Sequence, residues 1–224
     1  MNHNLKLYDH LLSFSLFQGL SHTELLQMAG NTKFGFLKLP AGKTLIREGA
    51  PCQTLFFLIS GRLALTTTSD DRTYRIEEQL AAPWMLQPEV LFGAQTRFTH
   101  HVSTLTESHF ITLSKEEVLR LLDDFLIIRL NLLNLYATQS QRRAATAWRR
   151  CPQTLTDRIV RFLLDHSVYP AGPKQVHILM RRLAQEMNDS RIDVSHALNE
   201  LQSRGLIVLH RGRIEVPLLE HLFM

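Results

Sequence analysis

The stretch from Leu183 to Leu209 constrains this chain more than any other. Met180-Arg181-Arg182 opens a short helical pattern in which Leu183, Ala184 and Met187 form one apolar stripe. Asn188-Asp189-Ser190 then interrupts it. Asn accepts the left-handed backbone of a sharp helix–helix turn. Ser190 stands where a side chain caps the next helix. That helix carries Val194, Ala197, Leu198 and Leu201 on one side, and Arg191, Ser195, His196 and Asn199 on others. Gly205 is its C-terminal breaker. Leu206 to Leu209 and Ile214 to Val216 read as a hairpin turned at Arg211-Gly212. Two amphipathic helices alone do no more than pack a core. With a tight turn, a polar-faced second helix and a basic-tipped hairpin they make a winged helix-turn-helix, whose second helix enters the major groove. The implied ligand is duplex DNA, with the wing arginines Arg211 and Arg213 on phosphate.

Charge is placed to match. The net charge is only +4, but residues 1–139 hold 12 Lys+Arg against 13 Asp+Glu, while residues 140–224 hold 13 against 8. The excess of +5 therefore lies in the part with the helix-turn-helix, as phosphate contact requires. Arg142, Arg143, Arg149 and Arg150 supply much of it, and they serve equally well as a solvated helix face.

Ahead of that part the pattern changes twice. Residues 1–30 look helical, with Ser21-His22-Thr23-Glu24 in the form of a capping box. From Phe34 to Leu113 the runs are short and β-prone: Thr44 to Ile46, Leu55 to Ile59, Leu63 to Thr68, Val102 to Thr106 and His109 to Leu113. Turn signals at Pro40-Ala41-Gly42, Glu48-Gly49, Ser60-Gly61 and Ser69-Asp70-Asp71 separate them, which indicates a barrel or sandwich. A barrel's mouth or interior is a common small-ligand site. From Ser114 the chain turns helical, with Glu116 and Glu117 where the macrodipole favours acids. Leu126, Leu130, Leu133, Ala137, Ser140, Ala144 and Ala147 then alternate in steps of four and three, a heptad seam. A seam longer than one barrel wall needs implies a parallel homodimer through Leu126, Leu130, Leu133 and Ala137. Pro152 ends that helix, and a further helix spans Thr154 to His166.

Several classes drop out. Two cysteines, Cys52 and Cys151, form no disulfide framework, zinc site or four-cysteine cluster. Asp9 and His10 interrupt any signal peptide. The apolar stretch from Phe125 to Ala137 contains Arg129, Asn131 and Asn134, too polar for a membrane span. The expectation is a cytoplasmic protein with no membrane partner. There is no phosphate loop, G-x-S-x-G or H-E-x-x-H, so no catalytic residue and no enzyme activity are expected.

Barrel, long dimer helix, winged helix-turn-helix: this order resembles the CRP/FNR superfamily of bacterial regulators over nearly the whole chain. Pro40-Ala41-Gly42-Lys43-Thr44-Leu45-Ile46-Arg47-Glu48-Gly49 looks like the opening of the family's cyclic-nucleotide-type barrel, and Leu55 to Leu63 like its next strand and glycine turn. The helix-turn-helix aligns without a gap. The resemblance implies an α+β fold in three parts: an effector-type jelly-roll barrel with N-terminal helices over 1–114, a dimerisation helix over 115–150 and the winged helix-turn-helix over 151–224. It puts the DNA-reading positions on Arg191, Ile192, Asp193, Ser195 and His196, beside Ser190. The family's first Arg is kept as Arg191, its Glu is Ile192 and its second Arg is His196. Arg191 fits a guanine bidentately, whereas Ile192 offers only an apolar contact such as to a thymine methyl. The operator should therefore differ from the family's best-known one.

The effector site departs from the family pattern. Cyclic-nucleotide binders carry Gly-Glu on a short helix and an Arg-Ser pair about ten residues later. Here Met85-Leu86-Gln87-Pro88-Glu89-Val90 keeps Glu89, but Pro88 replaces the Gly and removes a donor N–H. Aligning on Val102 puts Phe98-Thr99 where Arg-Ser is expected, and a one-residue slip makes Arg97 the phosphate ligand instead. A pocket for anionic phosphate needs that charge, so cAMP is not the expected effector. The candidate pocket is Leu86, Glu89, Arg97, Thr99 and His100. His100 and His101 are adjacent on a strand and point to opposite faces, which argues against haem and against a metal site. The chain thus reads as a homodimeric DNA-binding regulator, with RNA polymerase as a further partner if it activates. Its effector is expected to be a small molecule other than cAMP. The alternatives are an effector-independent dimeric regulator and a haem- or redox-sensing one.

Overall fold

Ser21 caps the second helix as its sequence demands: its hydroxyl accepts from the Glu24 N–H, and the Glu24 carboxylate accepts from the Ser21 N–H at 2.7 Å. The computed structural model describes residues 2–223 and divides into two compact units. The first holds the chain up to Leu63, Ala81–Thr99 and Ser103–Arg149. Helices α1 (Asn2–Leu12) and α2 (His22–Asn31) lead into an antiparallel four-stranded sheet. Its order is β1 (Gly35–Leu39), β8 (Ser108–Ser114), β3 (Thr54–Ser60), β6 (Trp84–Leu86). The short strand β2 (Thr44–Ile46) follows the Pro40–Gly42 turn, where the Gly42 N–H meets the Thr104 carbonyl at 2.7 Å. Leu55, Phe57, Phe110, Ile111 and Leu113 are fully buried beside Phe14 and Phe17, and the Phe14 and Phe57 rings meet edge to face at 5.0 Å. Gly61 sits at φ +104, and a Cβ there would stand against Ser108 Oγ and 2.7 Å from the Glu107 carbonyl oxygen, so the turn excludes any side chain.

The segment 115–150, read from sequence as one dimerisation helix, is two helices, α3 (Lys115–Asp124) and α4 (Leu126–Ala147). Phe125 between them is extended and buried. Asp123 and Asp124 put negative charge at the end of α3, where the macrodipole disfavours it. Arg129 compensates from the first turns of α4, donating to the Leu122 carbonyl at 2.7 Å and the Asp123 carbonyl at 3.3 Å. Helix α4 buries Ile128 and Leu132 in its own unit and leaves Leu126, Leu130, Leu133 and Ala137 exposed. The side chain of Ala147, at the end of the heptad pattern, lies outside the described residues.

The second unit gathers Ala64–Leu80, His100–Val102 and the chain from Arg150 onward. Helix α5 (Leu155–Asp165) starts at Thr154, whose hydroxyl accepts from the Asp157 N–H at 3.0 Å. Strand β9 (Lys174–Ile178), which has no local signal in the sequence reading, precedes α6 (Met180–Met187) and α7 (Arg191–Ser203). The wing is β10 (Val208–His210) and β11 (Arg213–Val216). One sheet runs β10, β11, β9, then β5 (Tyr74–Ala81) and β4 (Arg62–Thr68). Ile76, Val176, Ile214 and Val216 on its inner face pack with Ile159, Phe162, Leu183, Val194, Leu198 and Leu201 in one core. Strand β7 (His101–Thr104) completes the strands. The expected α+β architecture holds: an antiparallel sheet in the N-terminal half, a long helix and a C-terminal helix-turn-helix.

Candidate nucleic-acid interface and effector site

The turn of the helix-turn-helix is built as its residues require. Asn188 is left-handed, at φ 49 and ψ 50, a conformation Asn tolerates better than most residues. Ser190 caps α7 by accepting from the Asp193 N–H at 3.1 Å, and its own hydroxyl donates to the Asp193 carboxylate at 2.6 Å. Asp189 accepts from the Ser190 N–H at 2.8 Å and from Arg158 at 2.6 Å, and these contacts hold its carboxyl below the ordinary range. Arg158 also donates to the Met187 carbonyl at 2.9 Å. Its guanidinium therefore fastens both sides of the turn to α5. Sequence reasoning missed this positioning residue, because its partners lie some thirty positions away and nothing local marks it.

Helix α7 is two-faced. Val194, Ala197, Leu198 and Leu201 are buried, while Arg191, Ile192, His196 and Asn199 are exposed and Ser195 half-buried. Ile192, at 70% exposed, is a large apolar side chain held in solvent at the start of the helix. Ser190 and Asp193 are engaged with each other, so Arg191, Ile192, Ser195 and His196 remain as the presented set. Their spacing of one, three and one residues lays them along one side of the first turns.

The wing divides its two arginines. Arg211 is exposed at the turn, where Gly212 takes φ +72. Arg213 is half-buried on the outer face of the sheet. There His210, Arg213, His177 and Arg75 stand opposite one another across β10, β11, β9 and β5. Burial pushes the His177 imidazole down, against the pull of Glu77, whose carboxylate lies 3.4 Å from Nε2. Beneath this row, on the inner face, Glu78 and Lys174 form an ion pair at 2.9 Å with both side chains out of solvent. Glu78 also accepts from the Val168 and Tyr169 N–H groups at 2.7 and 3.0 Å, and Lys174 donates to the Ala171 carbonyl at 2.8 Å. Arg182 of α6 reaches Asp71 at 3.1 Å.

Of the five candidate effector residues, Leu86, Glu89, Arg97 and Thr99 lie in the first unit and His100 in the second. Leu86 is buried in β6. Glu89 lies in a one-turn 3-10 helix, Pro88–Val90. The guanidinium of Arg97 donates to the Gly49 carbonyl at 2.8 Å. Phe98 is buried beside Phe56, the ring centroids 6.4 Å apart. Thr99 donates through its N–H and its hydroxyl to the Gln87 side chain. His100 belongs to the second unit, where its Nδ1 and the Thr67 hydroxyl are 2.9 Å apart. Tyr136 of α4 donates to the Pro88 carbonyl at 2.8 Å, and burial first, then Glu89 and Cys52, push its phenol up to about 12. Among the described residues no group of three or more His, Cys, Asp or Glu could hold a metal ion, and no helix is long and apolar enough to cross a membrane.

Residues 36–125 match the family model of the cyclic nucleotide-binding domain, and residues 157–223 that of the Crp-like helix-turn-helix domain. Among solved structures, the catabolite activator protein of Thermus thermophilus is 21% identical, with TM-score 0.51, over 94% of this chain and 97% of its own. The sensor domain of the transcriptional regulator DNR from Pseudomonas aeruginosa is 21% identical, with TM-score 0.54, over 65% of this chain and 95% of its own. A regulator of the crp/fnr family from Eubacterium rectale is 19% identical, with TM-score 0.53, over 94% of this chain and 96% of its own. At such identities the likeness concerns the fold. No curated protein matches the sequence.

Proposed function

The chain belongs to the CRP/FNR superfamily of transcription regulators, and we propose that it is a homodimeric, sequence-specific DNA-binding regulator, acting in the cytoplasm, whose effector is a small molecule other than cAMP. Carrying the DNA-binding proposal is α7 itself. A capped helix sits behind a left-handed Asn188 turn, buries one face in a core and holds Arg191, Ile192, Ser195 and His196 on the other. Arg191 is the base reader, through the guanine O6 and N7 acceptors that its planar fork matches. Arg211 contacts phosphate from the wing. The dimer is supported by α4, which turns Ile128 and Leu132 inward and leaves Leu126 at 63%, Leu130 at 47% and Leu133 at 57% exposed. Leucines in a heptad row on a helix are what a second copy of the same helix covers. In an activator the further partner is RNA polymerase.

The case against cAMP rests on charge. Arg97 is spent on the Gly49 carbonyl, and Phe98 brings no charge. A phosphate in the barrel would have to draw the Arg97 guanidinium off that carbonyl to gain the cation that offsets its desolvation. An effector-independent regulator is the second reading, favoured by the bond between Gln87 and Thr99.

The test is binding of a duplex enriched from a random pool, followed by fluorescence anisotropy. A regulator of this kind holds its own site at about 10⁻⁸–10⁻¹¹ M and unrelated duplex only at about 10⁻⁴–10⁻⁶ M near physiological salt. Equal affinity for enriched and unrelated duplexes refutes sequence-specific regulation.

A further inference from the structure

Two donors in the sensor barrel converge on one atom. The Thr99 N–H and the Thr99 hydroxyl both reach Gln87 Oε1, each at 2.9 Å. The orientation of the amide follows from chemistry: a backbone N–H only donates, so the atom facing it must be the oxygen and not the NH₂. A backbone N–H beside a hydroxyl, both aimed at one point, is the arrangement that holds an oxygen of a ligand. Here the oxygen comes from the chain.

Gln87 holds this position at evident expense. Its backbone is left-handed, at φ 41 and ψ 52, a region that a side chain with Cβ disfavours. The residue is 6% exposed, and its Nε2 is buried with no hydrogen-bond partner among the described residues. A residue there only to fill space would be apolar and would leave no orphaned donor. The acceptor oxygen is the part of Gln87 that the site uses.

The surrounding charge suits a neutral occupant. Arg97, two residues before Thr99, is turned to the Gly49 carbonyl. Glu89, two residues after Gln87, adds a carboxylate on the adjoining 3-10 turn. At Thr99 itself an anion would meet two neutral donors, with the nearby Arg97 guanidinium engaged at the Gly49 carbonyl. An amide oxygen accepts the same two hydrogen bonds without the cost of burying a charge.

We infer that Gln87 is the resident occupant of the acceptor seat at Thr99, so that its amide oxygen stands in for a ligand oxygen and the seat is closed to anionic effectors. The inference goes beyond DNA binding and does not depend on it, because every readout below concerns the barrel.

The experiment compares thermal unfolding of the full wild-type chain and of Gln87→Gly, each titrated with acetamide, acetate, inorganic phosphate and cAMP. Glycine relieves the left-handed backbone and vacates the seat. Ligand that binds only the folded state raises Tm with its concentration. The wild type should show no saturable rise with any of the four. Gln87→Gly should gain a saturable rise with acetamide, the compound that restores the missing amide oxygen. A saturable rise of the wild type with phosphate or cAMP would overturn the inference, as would a Gln87→Gly chain that answers to none of the four. If Gln87→Gly does not fold, Gln87→Asn tolerates the same backbone and draws the oxygen back by one methylene. The Thr99 amide should then exchange with solvent at least tenfold faster than in the wild type, and unchanged protection contradicts the assignment.

Discussion

The carboxylate of Glu78 and the ammonium of Lys174 meet at 2.9 Å with side chains that are 0% and 1% exposed. Each belongs to a strand of the same sheet, opposite one another where β5 pairs with β9. Glu78 is further tied to the loop after α5 by two backbone N–H groups. A hairpin that the sequence assigns to the barrel is thereby part of the same folded body as the helix-turn-helix. Removing one partner strands the other's charge in the core. Lys174→Met should destabilise by about 3–5 kcal/mol, read as a lower midpoint in urea unfolding. A loss below about 1 kcal/mol, the size of a solvent-exposed pair, would show that the pair is not buried in solution.

His177 gives this sheet a pH dependence of definite sign. Burial depresses the imidazole below its ordinary value, while Glu77 opposes the shift and Arg75 and Arg213 in the same row reinforce it. The folded state therefore prefers the neutral ring. Its contribution is full above the unfolded value near 6.5 and is lost as pH falls through the depressed folded value. Urea midpoints at pH 7.5 and 5.5 should drop further for the wild type than for His177→Gln. An equal drop would assign the acid sensitivity to other groups.

The proposed dimer rests on the exposed row of α4. Leu130→Glu together with Leu133→Glu places charge where a partner helix would have to bury it. Light scattering should give half the wild-type mass for the double variant. An unchanged mass would move the interface elsewhere.

Legibility followed the range of each interaction. Asn188, Ser190, Gly205 and the Ser21–Glu24 box act within a few residues, so their left-handed turn, caps and breaker are readable from the sequence and recur in the structure. The inward Ile128 and Leu132 and outward Leu130 and Leu133 follow from the helical period. Strand β9 and the partner of β5 were not readable. Glu77 and Glu78 look like solvated charges, and a pairing about a hundred residues apart leaves no local trace. The break at Phe125 hides inside an apolar run whose periodicity continues across it. At the effector site, the sequence pointed to Arg97 and Glu89, while the contact with Thr99 is made by Gln87, a neutral residue with no motif around it.

Arg211 of the wing should act differently from Arg191. Arg211 lies exposed at the turn and fits a phosphate contact, which carries no sequence information. Arg211→Ala should weaken all duplexes alike and reduce the slope of log affinity against log salt by about one. Anisotropy titrations at several salt concentrations read this directly. A loss confined to one sequence would make Arg211 a base reader.

The proposed function turns on whether α7 reads DNA through Arg191, and selection of sites from random duplexes by the wild type and by Arg191→Ala measures it. The wild type should select a two-fold symmetric operator with half-sites one helical turn apart, as a dimer of this motif requires. Arg191→Ala should bind that operator about 1–3 kcal/mol more weakly and lose preference at one base pair in each half-site. Selection of the same motif with the same stringency by both chains, or of no motif by the wild type, would contradict the account.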